Sequence, residues 1–154
     1  HDQEEALANS DQVAVLLDGR IRQVAAPSDL YAHPFDKQTA EFVGDVVVLK
    51  GSTTSNSSTV NCALGDLGLS ETVTADGEVH VVVRPEQMQV SSSATSNSVN
   101  GEVVATKFFG HDGLVHARLA SAEIVIVRVQ ADALPVVGSQ VHISVRGPVR
   151  AYTR

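Results

Sequence analysis

The pattern of hydrophobic and polar positions changes near Gly44, and before that point it mixes helix and strand. Residues Asp2 to Ala8 are good helix formers, with acidic side chains near the positive end of the helix. The continuously apolar run Val13 to Leu17 predicts a strand that is buried on both faces. Asp18-Gly19 is a strong hairpin signal, so we expect Arg20 to Val24 to form the partner strand.

Two short helices are predicted between this hairpin and Gly44. Pro27 suits the first position of a helix that runs through Tyr31, and His33-Pro34 ends it. Asp36 to Phe42 predicts a further turn or two of helix, which Gly44 ends. Residues 1–44 therefore form a short mixed α/β segment.

After Gly44 the chain changes to short strands and small polar loops. In Val141 to Arg146 the odd positions are apolar, while His142 and Ser144 are polar, which is typical of a strand with one buried face. Ser52 to Thr59 and Ser91 to Ser98 are predicted to be exposed loops. Many short strands with little helix indicate a mainly β fold, with a small OB-like barrel over residues 45–154. The candidate strands are Val46 to Lys50, Thr59 to Ala63, Val79 to Arg84, Gln87 to Val90, Val99 to Phe109, Leu114 to Leu119, Glu123 to Val129, Gln140 to Val145 and Val149 to Tyr152.

Composition and charge exclude several classes of protein. The chain is 43% hydrophobic and has no Trp, so its core must be built mainly from Val, Leu, Ile and Ala. A formal net charge of -7 and the scarcity of aromatic side chains argue against binding to nucleic acid. No apolar run approaches the roughly 20 residues that would span a bilayer. We expect a soluble, cytoplasmic chain.

The residues that could carry chemistry do not form a complete active site. His111 and His116 lie five positions apart across a predicted turn, and the better interpretation is a pair of exposed strand histidines, with no metal. The single cysteine, Cys62, is expected to be a buried, unreactive thiol. No phosphate-binding glycine loop is present.

Several motifs nevertheless match a known family in the family's own order. The opening from His1 to Ala6, continued through Arg20-Ile21, closely resembles the end of the ATPase domain of ABC transporters. Pro27 to Gly44 is similar to the helical exit from that domain in importer ATPases. Val83-Arg84-Pro85-Glu86-Gln87 resembles the hallmark of the C-terminal TOBE domain, an OB-like barrel, and Phe108-Phe109-Gly110 also falls where that domain has it.

The resemblance implies roles for some of these residues. His1 would be the switch histidine that contacts the γ-phosphate of ATP in the parent protein. For Arg84, Pro85 and Glu86, a structural role in the barrel is favoured over ligand contact, because Pro85 cannot donate to a sheet and belongs at a strand end. The family usually has Gly-Thr or Gly-Ser where this chain has Ala25-Ala26, so the helix at Pro27 should lose about 1 kcal/mol of capping.

The resemblance also implies what this chain lacks. The Walker A loop, the Walker B strand and the signature motif are not in the sequence, so we interpret the chain as the C-terminal fragment of a longer ATPase. The fragment alone is expected neither to bind ATP tightly nor to hydrolyse it, and it needs no cofactor. ATP and Mg²⁺ belong to the parent protein.

The implied partners are a second copy of the subunit and the transmembrane permease subunits, at the inner face of the cell membrane. The expected function is the regulatory and dimerisation part of an importer's ATP-binding subunit, with ferric iron as the first choice of solute and a polyamine or other solute as the alternative. A different hypothesis is a free-standing OB-like module that binds a small oxyanion.

Overall fold

A computed structural model describes residues 3–74 and 76–153. Contacts within the chain divide it into two compact units, His1–Val46 and Val47–Arg154. The domain boundary predicted from the sequence, between Gly44 and Asp45, lies two residues before this division. Each unit has a hydrophobic core of its own.

The first unit contains three short helices and one hairpin. A small core forms where Val15, Leu30 and Val43 meet, and Leu7 and Tyr31 pack against them. The elements are α1 (Gln3–Asn9), β1 (Val13–Leu17), β2 (Arg20–Ala25), α2 (Pro27–Ala32) and α3 (Lys37–Val43).

The hairpin forms where Asp18-Gly19 predicts it, but β1 is not buried on both faces. Asp18 and Gly19 have φ values of 52° and 72°, the left-handed conformation that a tight two-residue hairpin turn requires. Within the described part of the chain, strand β1 pairs with β2 alone, and Val15 is its one buried residue. Leu16 is 59% exposed. The prediction that β1 is buried on both faces is wrong, because this two-stranded sheet packs one face on the helices and leaves the other face open.

The two helices after the hairpin differ in how they begin. Helix α2 has Ala26 as its N-cap and no side-chain capping hydrogen bond, as the sequence predicts. Helix α3 has Asp36 as its N-cap, and its carboxylate accepts from the Thr39 N–H at 2.7 Å. Four N–H groups at a helix start have no partner within the helix, so Asp36 satisfies a group that Ala26 cannot.

The second unit consists of two five-stranded antiparallel sheets. The first sheet has the order β12-β6-β3-β4-β5, and the second has the order β10-β9-β8-β11-β7. Short 3-10 turns at Pro85–Gln87 and Ala131–Ala133 follow β6 and β10. The strands are β3 (Val47–Thr53), β4 (Ser57–Cys62), β5 (Gly65–Val73), β6 (Gly77–Val83), β7 (Met88–Ser91), β8 (Val99–Phe108), β9 (Asp112–Leu119), β10 (Ile124–Gln130), β11 (Gln140–Val145) and β12 (Arg150–Thr153).

One continuous core fills this unit, and both sheets contribute to it. Val81 and Val83 of the first sheet are fully buried, as are Val103, Val127 and Ile143 of the second. In β11 the predicted alternation is confirmed, because Val141 and Ile143 are buried and the polar positions between them are less so. Valine supplies much of this core, as the composition predicts, since its stiff branched side chain suits a pleated surface.

Two predictions for this unit are wrong. Strand β5 is missing from the sequence-based assignment, although Leu67 and Val73 are buried at positions of even spacing. Gly68 and the polar run Ser70 to Thr72 hide the alternation of apolar and polar residues that would have indicated a strand. The predicted loop Ser52 to Thr59 is also shorter than expected, because β3 extends to Thr53 and β4 begins at Ser57. The loop after Ser91 forms as predicted.

Candidate functional site

The residue that the family resemblance makes catalytic, His1, lies outside the described residues. Its role as a switch histidine stays a prediction. Among residues 3–74 and 76–153, no helix is long and apolar enough to cross a membrane.

The predicted Arg84-Pro85-Glu86 motif forms the corner between β6 and β7. Arg84 and Pro85 are buried, while Glu86 is exposed. Gln87 fixes this corner, because its Oε1 accepts from the Arg84 N–H at 2.9 Å and its own N–H donates to the Arg84 carbonyl at 3.0 Å. Its Nε2 donates to the carbonyl of Pro148 at 3.0 Å. The structural role of the motif stays a prediction, and these contacts are of the kind that such a role requires.

A cleft lies beside this corner, where the second sheet curls and its two outermost strands approach each other. Strands β7 and β10 are the edges of the sheet, and they are not hydrogen-bonded neighbours. The space between them, here named the seam cleft, has a volume of about 480 Å³. It is lined by Glu86, Met88, Gln89, Val90, His111, Asp112, Arg128, Val129, Gln130 and Arg146.

An ion pair with one buried partner forms one wall of the seam cleft. The Asp112 side chain is 12% exposed, and one of its oxygens accepts from Nη1 of Arg128. Nε2 of His111, on an exposed side chain, lies 3.6 Å from the other oxygen. A carboxylate so little exposed needs a charged partner, because removing it from water is costly. The pair fixes Arg128 at the cleft.

Arg146 supplies a second guanidinium to the seam cleft. Its backbone N–H donates to the Gln87 carbonyl at 2.8 Å, which anchors the residue just beyond the end of β11. Its side chain is exposed and makes no hydrogen bond or ion pair with any residue that the structure describes. The cleft therefore combines one neutralised arginine with one whose charge is not offset.

The histidines and the cysteine do not form a metal site within the described part of the chain, where no cluster of three or more potential ligands occurs. His111 is exposed in the turn before β9, so its predicted exposure is confirmed, although it is not in a strand. His116 was predicted to be exposed, and this is wrong. It is half-buried in β9, and its Nε2 is buried without a hydrogen-bond partner in the described residues.

Cys62 is half-buried at the end of β4. Burial raises the pKa of the Cys62 thiol above its ordinary value, and the charges of Glu123 and Asp66 act in the same direction. Its Sγ lies 3.7 Å from the carbonyl of Gly65, to which it can donate. A thiol that stays protonated is a poor nucleophile, which agrees with the prediction of an unreactive cysteine.

The sequence did not single out the residues of the seam cleft other than Glu86 and His111. A signal was present at Arg128, which interrupts the apolar run of β10. A charge at the end of such a run commonly has a partner or a ligand. That the partner is Asp112 follows only from the pairing of β9 with β10, which places Gln130 opposite Asp112.

The first unit has a groove of a different kind. It has a volume of about 420 Å³ and lies among α1, β1, α2 and α3, where Leu7, Val13, Leu30 and Phe42 line it. Phe42 is 40% exposed, and on the hairpin Ile21 and Val24 are more exposed still. This unit therefore presents much apolar surface for its size.

Comparison with known proteins agrees with this architecture. Residues 81–148 match the family model described as TOBE domain. The cytoplasmic molybdate-binding protein ModG, solved with molybdate bound, is similar in fold to this chain, with a TM-score of 0.58 and 16% identity over 70% of this chain and 96% of that one. The second unit is thus an OB-like TOBE domain, and the predicted mainly β fold is confirmed.

Sequence relatives extend the similarity to the first unit. An Fe(3+) ions import ATP-binding protein of Rhodococcus jostii is 38% identical over 99% of this chain, and one of Serratia marcescens is 33% identical over the same share. A spermidine/putrescine import ATP-binding protein of Ruegeria pomeroyi is 35% identical over 84%. The chain spans 44% of the length of the two iron-import relatives and 36% of the third. It is therefore related along its length to the ATP-binding subunits of ABC importers, as its motifs predict.

Proposed function

We propose that this chain is the C-terminal part of the ATP-binding subunit of an ABC importer, the subunit that couples ATP hydrolysis to solute uptake. The observation that carries the proposal is the similarity to import ATP-binding proteins, which covers 99% of this chain. The same similarity covers only 44% of the length of those proteins. ATP and Mg²⁺ would bind mainly in the remaining part of the subunit.

The shape of the first unit supports this proposal. Its hairpin has a single packed face. The hairpin also carries exposed apolar side chains, such as Leu16 and Ile21. A strand as apolar as β1 usually belongs to a larger sheet covered on both sides. The rest of an ATPase domain would supply that cover, and the groove beside Leu7 and Phe42 would be filled in the same way.

Ferric iron is the proposed solute, because relatives at 38% and 33% identity are named for Fe(3+) import. A polyamine is the alternative, since a relative named for spermidine and putrescine import is 35% identical. The proposed partners are the permease subunits, at the inner face of the membrane, and a second copy of the subunit. The TOBE domain would help the two copies associate.

A chimera tests the proposal. This chain replaces the matching part of the Rhodococcus jostii relative, and ATP hydrolysis and ferric iron uptake are measured with the permease of that relative. We expect both activities to persist. The control is a chimera that carries the matching part of the Serratia marcescens relative, joined at the same position. A folded chimera without ATP hydrolysis, beside an active control, would contradict the proposal.

A further inference from the structure

We propose that Asn97 is a site of spontaneous modification in the folded chain, where its side-chain amide is lost as ammonia and an aspartate or isoaspartate forms. The co-reactant is water, and no enzyme is needed. This inference goes beyond the proposed function and does not depend on it. It rests on how the fold holds the asparagines of the sequence, which are Asn9, Asn56, Asn61, Asn97 and Asn100.

The reaction is a ring closure between a side chain and the backbone that follows it. The backbone nitrogen of Ser98 bonds to Cγ of Asn97, and the bond from Cγ to Nδ2 breaks, so that ammonia leaves. Water then opens the cyclic imide at either carbonyl, which gives aspartate or isoaspartate. Nothing is oxidised or reduced, and the chain gains a carboxylate. Because the nitrogen must reach the side chain, a small following residue and a backbone that can rotate favour the reaction.

Asn97 meets both requirements. It is exposed in the loop between β7 and β8, and its side chain makes no hydrogen bond with any residue that the structure describes. The Ser98 N–H donates to the Thr95 carbonyl at 3.2 Å, and the Thr95 N–H donates to Oγ of Ser98 at 2.9 Å. These bonds stay within the loop, so the backbone at Asn97 can rotate without disturbing either sheet.

Asn56 is also followed by a serine, but its turn is anchored from outside. This turn joins β3 to β4, and Asn56 has the left-handed φ of 59°. Its N–H donates to the Val73 carbonyl at 2.9 Å, and Oγ of Ser55 donates to the Thr74 carbonyl at 2.9 Å. Both acceptors lie at the end of β5. Because the turn must detach from β5 before its backbone can rotate, Asn56 should react more slowly than Asn97.

Asn100 is followed by Gly101, which leaves the attacking nitrogen least hindered in an unfolded chain. In the fold both residues belong to β8, which lies between β9 and β11. The Val103 N–H donates to the Ser139 carbonyl at 3.0 Å, and the strand period of two directs the Gly101 N–H the same way, toward Val141. Folding therefore protects the asparagine that the sequence alone marks as the most labile.

The other two asparagines have engaged side-chain amides. Nδ2 of Asn9 donates to the Glu5 carbonyl at 3.1 Å, and Nδ2 of Asn61 donates to Oδ1 of Asp66 at 2.7 Å. Each bond opposes the side-chain rotation that ring closure requires. Asn97 thus combines a small following residue, an unengaged amide and a backbone without outside anchors.

The test follows each asparagine in the whole 154-residue chain by peptide mass mapping, after incubation in mildly alkaline buffer with and without guanidinium chloride. In buffer we expect Asn97 to convert at least about 10-fold faster than Asn100, because the ladder of β8 must open before Gly101 can attack. In denaturant Asn100 should be the faster of the two. The same order under both conditions would overturn the proposal, since the fold would then have no effect.

Two matched variants locate the site. Asn97→Gln lengthens the side chain by a methylene and so misplaces the amide for ring closure, and Asn56→Gln makes the same change at the other exposed turn. Ion exchange measures the acidic species, and enzymatic methylation detects isoaspartate in it. We expect this species to form in the parent chain and in Asn56→Gln, and to fall at least about 10-fold in Asn97→Gln. Equal amounts in the two variants, or aspartate without isoaspartate at position 97, would contradict the proposal.

Discussion

The side chain of Gln87 donates to the carbonyl of Pro148, 61 residues farther along the chain, at 3.0 Å. The same amide accepts from the Arg84 N–H with its oxygen. One side chain therefore joins the corner between β6 and β7 to the loop between β11 and β12, and so connects the two sheets outside their common core.

Replacing Gln87 should destabilise the second unit. Gln87→Leu leaves the Arg84 N–H and the Pro148 carbonyl without their partners, at a cost of about 1–3 kcal/mol in the free energy of unfolding. Gln89→Leu is the matched control, since that amide has no partner in the described residues, and it should change stability by less than about 0.5 kcal/mol. Urea unfolding measures both. Equal effects would mean that Gln87 does not connect the sheets.

Gly113 should not tolerate even one methyl group. A Cβ at Gly113 would lie 2.6 Å from the backbone oxygen of Lys107 and 2.9 Å from the Leu134 side chain. Because a backbone atom cannot move aside cheaply, we expect Gly113→Ala to cost about 1–3 kcal/mol. Gly68→Ala is the control, since nothing lies within 4 Å of its Cβ position. If thermal unfolding midpoints of the two variants agree, the packing of Leu134 on β9 is looser than described.

Substitutions at the N-caps of helices α2 and α3 should change the stability of the first unit in opposite directions. Asp36→Ala removes the hydrogen bond to the Thr39 N–H, and we expect this to cost about 1 kcal/mol. Ala26→Ser supplies a cap where helix α2 has none and should stabilise that unit by about 0.5–1 kcal/mol. Ala14→Ser, at an exposed position of β1, is the control and should have little effect. Local amide exchange rates within α2 and α3 report each change.

The thiol of Cys62 should react slowly until the solution is strongly alkaline. Burial raises its pKa in the folded chain, so less thiolate is present at a given pH than in the unfolded chain. Alkylation by iodoacetamide at pH 8 is expected to be slower in the folded chain than in urea. The protonated thiol favours the fold below the unfolded-state pKa, and this contribution is lost as the pH rises through the folded-state pKa. Equal alkylation rates would show that the thiol is accessible.

His1 is best tested in the active chimera. If it is the switch histidine, its hydrogen bond to the γ-phosphate forms mainly in the transition state and is worth about 1.5–3 kcal/mol. His1→Ala should then slow ATP turnover about 10- to 150-fold, while nucleotide affinity changes much less. Asp2→Ala serves as the neighbouring control. Equal losses of turnover and affinity would assign His1 to ground-state binding instead.

Local patterns predicted most of the fold because the responsible physics is local. The Asp18-Gly19 turn, the helix predicted from Asp36 to Phe42 and the alternation of β11 each depend on neighbouring residues. The seam cleft depends instead on the pairing order of five strands, which brings Arg128 and Gln89 to one gap. Nothing in the spacing of these residues along the chain reports that order. The open face of β1 was missed for the same reason, since an apolar run does not reveal how many strands lie beside it.

The position of β12 has a consequence for how the chain acquires its structure. This strand pairs with β6, with Arg150 opposite Val82, and all five strands of the other sheet lie between them in sequence. The polypeptide must therefore close a very long loop before the first sheet is complete, and the entropy lost in doing so precedes any gain from contacts. Proteins dominated by such distant pairings fold in milliseconds to seconds, far more slowly than helical ones. The first sheet can therefore be completed only after the chain that forms the second sheet has brought β12 back beside β6.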